Sequence, residues 1–169
     1  KSSRRQRQMC IRDSYYRHLI ENVGDSELHY VLYHIPQNTY VPISFKTIET
    51  LLKLYPNNIV GLKDSSGDGE RMMKVIKYFN NFSVFCGHDS LALSISKRGG
   101  AGAITAGTNV CGKLLSFILK NYKKENSIKN FNELQSLLEK IRQVITTHEP
   151  ISLMKAYFSI IDNISEWNI

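Results

Sequence analysis

The chain has 169 residues, of which 42% are hydrophobic and 22% charged, and these values indicate a folded globular domain and exclude an intrinsically disordered chain. The formal net charge is +7, but residues 1–14 hold five basic side chains against one acidic side chain, so a net charge of +4 lies in this short segment. The sequence has no apolar run of roughly 18 residues and no apolar segment beside the basic N-terminus, so we predict neither a membrane span nor a secretory signal. We therefore expect a cytoplasmic protein that binds neither membranes nor nucleic acid.

Residues 1–14 have no hydrophobic periodicity, and three interpretations of them are open. They form a basic arm that binds nucleic acid or anionic lipid, a disordered tail without a role, or a segment that is not native. The third interpretation rests on Arg7–Ser14, which resembles translated sequencing-adapter sequence. We leave the segment out of the fold prediction, so the predicted domain covers residues 15–169.

Hydrophobic periodicity and turn residues predict helices that alternate with short strands along the rest of the chain. The predicted helices are Tyr15–Val23, Pro42–Tyr55, Gly69–Phe79, Ser90–Arg98, Cys111–Tyr122, Ile128–Thr147 and Ile151–Ile164. The predicted strands are Leu28–Ile35, Ile59–Leu62, Phe82–Cys86 and Ala101–Ala106. This alternation indicates an α/β fold with a parallel sheet of βαβ units. Strand starts roughly 20–30 residues apart are typical of a (β/α)8 TIM barrel, which needs about 250 residues, so four units make a partial barrel.

The segment Asn58–Asp68 is an apolar run that carries one lysine and passes directly into a polar turn containing glycine. It places Lys63 where a strand ends and a loop begins, which is the edge at which α/β proteins bind ligands. A lysine in apolar surroundings there has a lowered pKa, because desolvation disfavours the ammonium, and its free amine can attack a ketone to form a Schiff base. The alternative is a lysine whose side chain extends from the strand end into solvent.

Two motifs together resemble one protein family. Gly61–Asp68 (GLKDSSGD) is similar to the Schiff-base lysine signature of the dihydrodipicolinate synthase / N-acetylneuraminate lyase family, and Leu32–Pro36 (LYHIP) is similar to that family's tyrosine motif about thirty residues upstream. The resemblance covers about residues 15–169, aligned with the second half of the family's TIM barrel: its last four strand–helix units plus the C-terminal helices. It implies class I pyruvate-dependent aldolase or lyase chemistry, with a covalent Schiff base at Lys63 and no other cofactor.

The resemblance also implies roles for individual residues. Lys63 forms the Schiff base, and Tyr33 transfers protons beside it, although a tyrosine packed under a loop is the alternative for Tyr33. Ile104 contacts the pyruvyl part of the substrate through its backbone, and Gly87 is a loop glycine near the site. The glycine-rich segment Gly99–Asn109, which holds Ile104, has phosphate binding as a weaker interpretation, because it lacks a Walker pattern and a lysine.

One residue departs from the synthases and leaves the substrate open. Asn38 stands two residues after the proline of the tyrosine motif, where the synthases have a carboxylate-binding arginine, and an amide cannot replace a bidentate guanidinium. Dihydrodipicolinate synthesis, cleavage of 4-hydroxy-2-oxoglutarate or a 2-keto-3-deoxy sugar acid, and N-acetylneuraminate cleavage all stay open. A non-catalytic ligand-binding domain that keeps the fold is the alternative from another class.

The resemblance also leads to expectations about the oligomeric state of the full-length protein and about the activity and solubility of this chain alone. The family's carboxylate-binding threonine pair belongs to the first half of the barrel, and half a barrel leaves unpaired strand edges. We therefore expect the chain alone to be inactive and poorly soluble, its C-terminus to be cut as well, and the full-length protein to be a homo-oligomer, by resemblance a homotetramer.

The sequence predicts neither a metal site nor a disulfide framework. His34 and His88 are predicted at neighbouring strand ends, with Asp89 beside them, but their spacing matches no recognised set of metal ligands. The cysteines are odd in number and include no CxxC pair, so we expect reduced thiols. They are Cys10, Cys86 and Cys111.

Overall fold

The computed structural model describes residues 14–147 and 149–161 as alternating strands and helices. The strands form one parallel sheet in the order β1-β2-β3-β4. They are β1 (Tyr30–His34), β2 (Ile59–Asp64), β3 (Ser83–Cys86) and β4 (Gly102–Ala103). The helices are α1 (residues 14–23), α2 (Pro36–Thr39), α3 (Phe45–Leu54), α4 (Gly69–Tyr78), α5 (Asp89–Ser96), α6 (Thr108–Asn121), α7 (Phe131–Thr147) and α8 (Pro150–Ile161), with a 3₁₀ helix at Tyr122–Ser127.

The chain divides into two compact units between Phe85 and Cys86. In the first unit, helices α3 and α4 begin at capping residues. The Ser44 side chain accepts a hydrogen bond from the backbone of Thr47 at the start of α3, and Asp68 does the same for Arg71 at the start of α4. Such caps satisfy backbone N–H groups that have no partner inside a helix. Behind the caps, buried apolar side chains from both helices and from β2 form the core: Ile48, Leu51, Ile59, Leu62, Met72 and Val75.

β1 and β2 pair in parallel, and their register places the predicted site residues side by side. Tyr33 lies opposite Lys63, and His34 lies opposite Asp64. On the other edge of β2, a Cβ atom at Gly61 would overlap the backbone carbonyl oxygen of Ser83, so the close approach of β3 requires glycine at this position.

The second unit contains β4 and helices α5 to α8. Its buried apolar side chains come from α5, α6 and α7, and they include Ala92, Ile95, Leu115, Ile118, Phe131 and Leu138. The backbone N–H of Ile104 donates to the carbonyl of Cys86 at 2.9 Å, which joins the segment after β4 to the end of β3. The 3₁₀ helix is joined to α5 through Tyr122, whose hydroxyl donates to the carbonyl of Ser96 at 3.2 Å, and through an ion pair of 2.6 Å between Lys97 and Glu125.

Several element boundaries differ from the sequence prediction. Pro36 was predicted only to end a strand, but it begins the short helix α2, because proline is well suited to the first turn of a helix. The predicted helix from Pro42 begins only at Phe45, after its cap. The predicted strand Ala101–Ala106 is reduced to two residues, and its Gly102 has a φ of +149°, which departs from strand geometry.

The interpretations of residues 1–14 lie outside the described residues, except that Ser14 belongs to α1. His148 and the predicted end of the last helix at Ile164 also lie outside them. Within residues 14–147 and 149–161, no helix combines the length and the apolar character needed to cross a bilayer.

Candidate active site

The first unit brings the predicted catalytic pair together at the carboxyl ends of β1 and β2. Tyr33 and Lys63 are paired in the parallel register, and Lys63 Nζ lies 4.2 Å from the centroid of the Tyr33 ring. Tyr33 is 47% exposed and Lys63 is half-buried, so both side chains remain accessible to a small molecule. The ring face attracts an ammonium group at this distance, which favours the observed direction of the long lysine side chain.

Directly behind this pair, the opposite face of the two strands carries a buried polar pair. Because side chains alternate along a strand, His34 and Asp64 point away from Tyr33 and Lys63. His34 is 2% exposed and Asp64 is 0% exposed. Asp64 Oδ2 forms an ion pair with Arg71 Nη1 from α4.

Arg71 also connects this ion pair to the segment that precedes α3. Its Nη2 donates to the backbone carbonyl of Ile43 at 2.7 Å. The N–H of the same Ile43 donates to His34 Nδ1 at 3.1 Å. The contacts therefore close a ring that runs from Asp64 through Arg71 and Ile43 to His34, which faces Asp64 in the strand register.

The Asp64 carboxylate also shapes the loop that follows Lys63. Its Oδ1 accepts hydrogen bonds from the backbone N–H of Ser66 at 2.9 Å and from the Ser66 hydroxyl at 2.6 Å. The preceding Ser65 donates its N–H to the carbonyl of His34 at 2.8 Å and accepts a hydrogen bond from Gln37 Nε2 at 2.7 Å. The loop then turns at Gly67, whose φ of +80° favours glycine.

The environment of His34 favours its neutral form. Burial lowers the pKa of His34 from its ordinary value, and the nearby Arg71 guanidinium lowers the pKa further, against the smaller opposing effects of Asp64 and Asp68. Because Nδ1 accepts the hydrogen bond from Ile43, the neutral ring carries its proton on Nε2.

The other two predicted site residues lie in the second unit, at the ends of adjacent strands. Gly87 directly follows β3, and Ile104 directly follows β4. The hydrogen bond from Ile104 N–H to the Cys86 carbonyl keeps the two strand ends together, and the Ile104 side chain is exposed.

A buried aspartate supports this second pair of strand ends. Asp89, at the start of α5, forms an ion pair of 2.7 Å with Arg142 of α7 and accepts a hydrogen bond from the Thr105 hydroxyl, one residue beyond Ile104. Burial, and the negative charge of Asp89, raise the pKa of the Cys111 thiol. Cys111 lies at a kink in α6, where its thiol donates to the carbonyl of Gly107 at 3.1 Å.

His34 and His88 were predicted at neighbouring strand ends, and this prediction is wrong. His34 ends β1 and His88 follows β3, and β2 lies between these two strands in the sheet. His34 Nδ1 is occupied by Ile43, and His88 Nδ1 is hydrogen-bonded to the Ser90 hydroxyl at 2.9 Å. Among the residues that the structure describes, no group of three or more His, Cys, Asp or Glu side chains has a metal-binding arrangement.

Comparison with known proteins identifies the family. The model of the dihydrodipicolinate synthetase family matches residues 5–167, and the chain belongs to this family. The 4-hydroxy-tetrahydrodipicolinate synthase of Listeria innocua is 32% identical over 139 residues, which are 82% of this chain and 47% of that protein.

Solved structures give the same result for the fold. Dihydrodipicolinate synthase from Aquifex aeolicus superposes with a TM-score of 0.63 at 27% identity, over 76% of this chain and 44% of that one. YagE from Escherichia coli K12, a prophage protein of the dihydrodipicolinic acid synthase family whose crystal structure contains pyruvate, superposes with a TM-score of 0.74 at 22% identity, over 87% and 49% of the two chains. The predicted α/β fold, a partial TIM barrel, is confirmed. The chain spans about half the length of the curated relatives it matches.

Sequence reasoning missed the buried ion pair that lies behind the strand end carrying Lys63. Arg71 was predicted only as part of a helix, and Asp64 only as part of a motif. A usable signal was present, because an aspartate at the end of a strand and an arginine in the first turn of the next helix return to the same sheet edge in a βαβ unit.

Proposed function

We propose that this chain is the lysine-bearing part of a class I aldolase or lyase that acts on pyruvate or a related 2-oxo acid. The proposal rests on one observation above all: in a chain of this family, Lys63 and Tyr33 occupy adjacent strand ends with the amine 4.2 Å from the ring centroid. The roles of Ile104 and Gly87 in binding the substrate through their backbone are part of the same proposal.

In the proposed reaction, the Lys63 amine attacks the ketone carbon of the 2-oxo acid and forms a carbinolamine. Loss of water gives an iminium, which withdraws electrons and makes the adjacent carbon acidic. The Tyr33 hydroxyl transfers protons to and from the substrate during these steps. The resulting enamine attacks an aldehyde carbon in the synthetic direction, or forms by carbon–carbon cleavage in the lytic direction. Water finally hydrolyses the iminium and releases Lys63.

The substrate is proposed at the level of a 2-oxo acid. The similarity to 4-hydroxy-tetrahydrodipicolinate synthases favours synthesis, whereas the amide of Asn38 in place of an arginine favours cleavage of 4-hydroxy-2-oxoglutarate or a related 2-oxo acid such as a 2-keto-3-deoxy sugar acid. N-acetylneuraminate cleavage is a further alternative. A homotetrameric, cytoplasmic full-length protein, without a metal or other cofactor, also stays a prediction.

Borohydride trapping tests the proposal. The chain is incubated with pyruvate, reduced with sodium borohydride and digested, and the peptide that contains Lys63 is examined by mass spectrometry. The same experiment is done on a completed chain, in which the N-terminal half of the Listeria innocua synthase precedes residue 15. We expect a reduced pyruvyl adduct on Lys63 in the completed chain.

Three variants make the result specific. Lys63→Arg keeps the positive charge but removes the nucleophilic amine, so the adduct should disappear. Lys74→Arg changes an exposed lysine of α4 and should leave the adduct unchanged. Tyr33→Phe keeps the ring beside Lys63 and removes the hydroxyl, so turnover should fall by roughly 10²–10⁴-fold. Absence of an adduct in the completed chain would instead favour a non-catalytic ligand-binding domain.

A further inference from the structure

A ring of residues, joined by three polar contacts and closed by the pairing of β1 with β2, lies behind the Tyr33–Lys63 pair on the opposite face of the two strands. The ring joins β1, β2, α4 and the segment before α3 through Asp64, Arg71, Ile43 and His34. Its two strand members directly follow the two proposed catalytic residues, because His34 follows Tyr33 and Asp64 follows Lys63.

We infer that Arg71, together with Asp64 and His34, positions Lys63 for nucleophilic attack by fixing the ends of β1 and β2. This inference rests on the proposed function for its chemistry and adds residues that do not touch the substrate. Arg71 is the central member, since a single guanidinium holds the carboxylate that follows Lys63 and the carbonyl of Ile43.

The geometry favours positioning over simple core stability. Burying an ion pair costs desolvation energy, and apolar side chains of similar volume often stabilise a fold equally well. This pair, however, also makes two directed hydrogen bonds with the backbone, because Asp64 accepts one from the Ser66 N–H and Arg71 donates one to the Ile43 carbonyl. These bonds fix orientation as well as distance. A displacement of about 1 Å at a nucleophile is sufficient to lower a rate by roughly 10²-fold.

The neighbouring loop strengthens this conclusion. Ser65 and Ser66, the second and third residues after Lys63, are both bound to members of the ring, to the His34 carbonyl and to the Asp64 carboxylate. The backbone on the carboxyl side of Lys63 therefore has little freedom unless the ring opens. Before Lys63, the strand is held by the core through Leu62, which is fully buried.

The test compares two variants of α4 in the completed chain. Arg71→Met opens the ring but keeps an unbranched side chain of substantial volume. Val75→Ala removes buried methyl groups from the same helix without touching the ring, and serves as a control for lost stability. For each protein, the rate of Schiff-base formation at Lys63 is measured by quenching with borohydride over a range of pyruvate concentrations.

We expect Arg71→Met to lower the saturating rate at least 10-fold while the pyruvate concentration for half-saturation changes less than 3-fold. Val75→Ala should leave both values within 2-fold of the original protein. Arg71→Lys should recover only part of the rate, because an ammonium cannot bind the carboxylate and the carbonyl with the same planar geometry. An Arg71→Met rate equal to that of Val75→Ala would overturn the inference.

A second measurement separates this inference from the proposed function. The ring current of Tyr33 shifts the NMR resonances of the Lys63 ε-protons as long as the amine stays near the ring. We expect Arg71→Met to reduce this shift and Val75→Ala to preserve it. If the completed chain without these substitutions forms no pyruvyl adduct, the proposed function fails, and the ring-current shift alone decides whether Arg71 positions Lys63.

Discussion

Replacement of Asp64 by asparagine should destabilise the first unit strongly. The change leaves the Arg71 guanidinium, whose side chain is only 16% exposed, opposite a neutral amide. Breaking a buried ion pair by removing one partner typically costs 3–5 kcal/mol. We expect about 3 kcal/mol here, at the low end, because Arg71 keeps its hydrogen bond to the Ile43 carbonyl and asparagine still offers one oxygen to Ser66.

Native-state hydrogen exchange of the β1 and β2 amides measures this loss, since it reports on the first unit directly. Glu70→Gln is the matched control, because its partner Lys74 lies 3.9 Å away and both side chains are exposed, so the change should cost less than about 0.5 kcal/mol. The double variant of Asp64→Asn with Arg71→Gln should recover part of the loss, because no unpaired charge remains. A loss for Asp64→Asn no larger than that for Glu70→Gln would refute the reasoning.

Three further changes test other parts of the fold. Burial lowers the pKa of His34 in the folded chain, so its contribution to stability should be fully present above pH 6.5 and decrease as the pH falls from 6.5 towards the folded pKa. Urea unfolding at several pH values measures this decrease in the free energy of unfolding, and His34→Asn should make it smaller. Tyr40→Gly should raise the free energy of unfolding by up to about 1 kcal/mol, because Tyr40 is 88% exposed and has a φ of +54°; a decrease would contradict this account of backbone strain. Gly61→Ala should lower the free energy of unfolding by about 1–3 kcal/mol, since the added methyl group meets the Ser83 carbonyl. An unchanged urea midpoint would contradict that close contact.

The parts of the structure that follow from local pattern were predicted from the sequence. The alternation of strands and helices was correct, and the order of two motifs correctly placed Tyr33 and Lys63 on consecutive strands. In a parallel sheet, consecutive strands joined by a helix usually lie side by side, so the motif order also implied that the two residues are neighbours. Their contact of 4.2 Å is the structural consequence of that register.

The missed features depend on conformations and contacts that periodicity does not encode. The two-residue strand β4 could not be separated from its small-residue neighbours, because its length depends on the backbone angles of Gly102. Helix α2 has only four residues, which is too short to show a hydrophobic period. The role of Arg71 required knowledge of which backbone carbonyl it reaches, and Ile43 lies 28 residues before it.

The two buried aspartate–arginine pairs show that contacts between residues close in sequence are easier to predict than contacts between distant residues. Asp64 and Arg71 are 7 residues apart, within one strand–loop–helix segment, whereas Asp89 and Arg142 are 53 residues apart. Closing the longer loop costs about 1.8 kcal/mol more chain entropy than closing the shorter one. The pair behind Lys63 therefore needs only the β2–loop–α4 segment, whereas the pair that contacts Thr105 needs α7 as well. The support of the proposed nucleophile is thus local in the sequence, while the support of the segment after β4 depends on a distant helix.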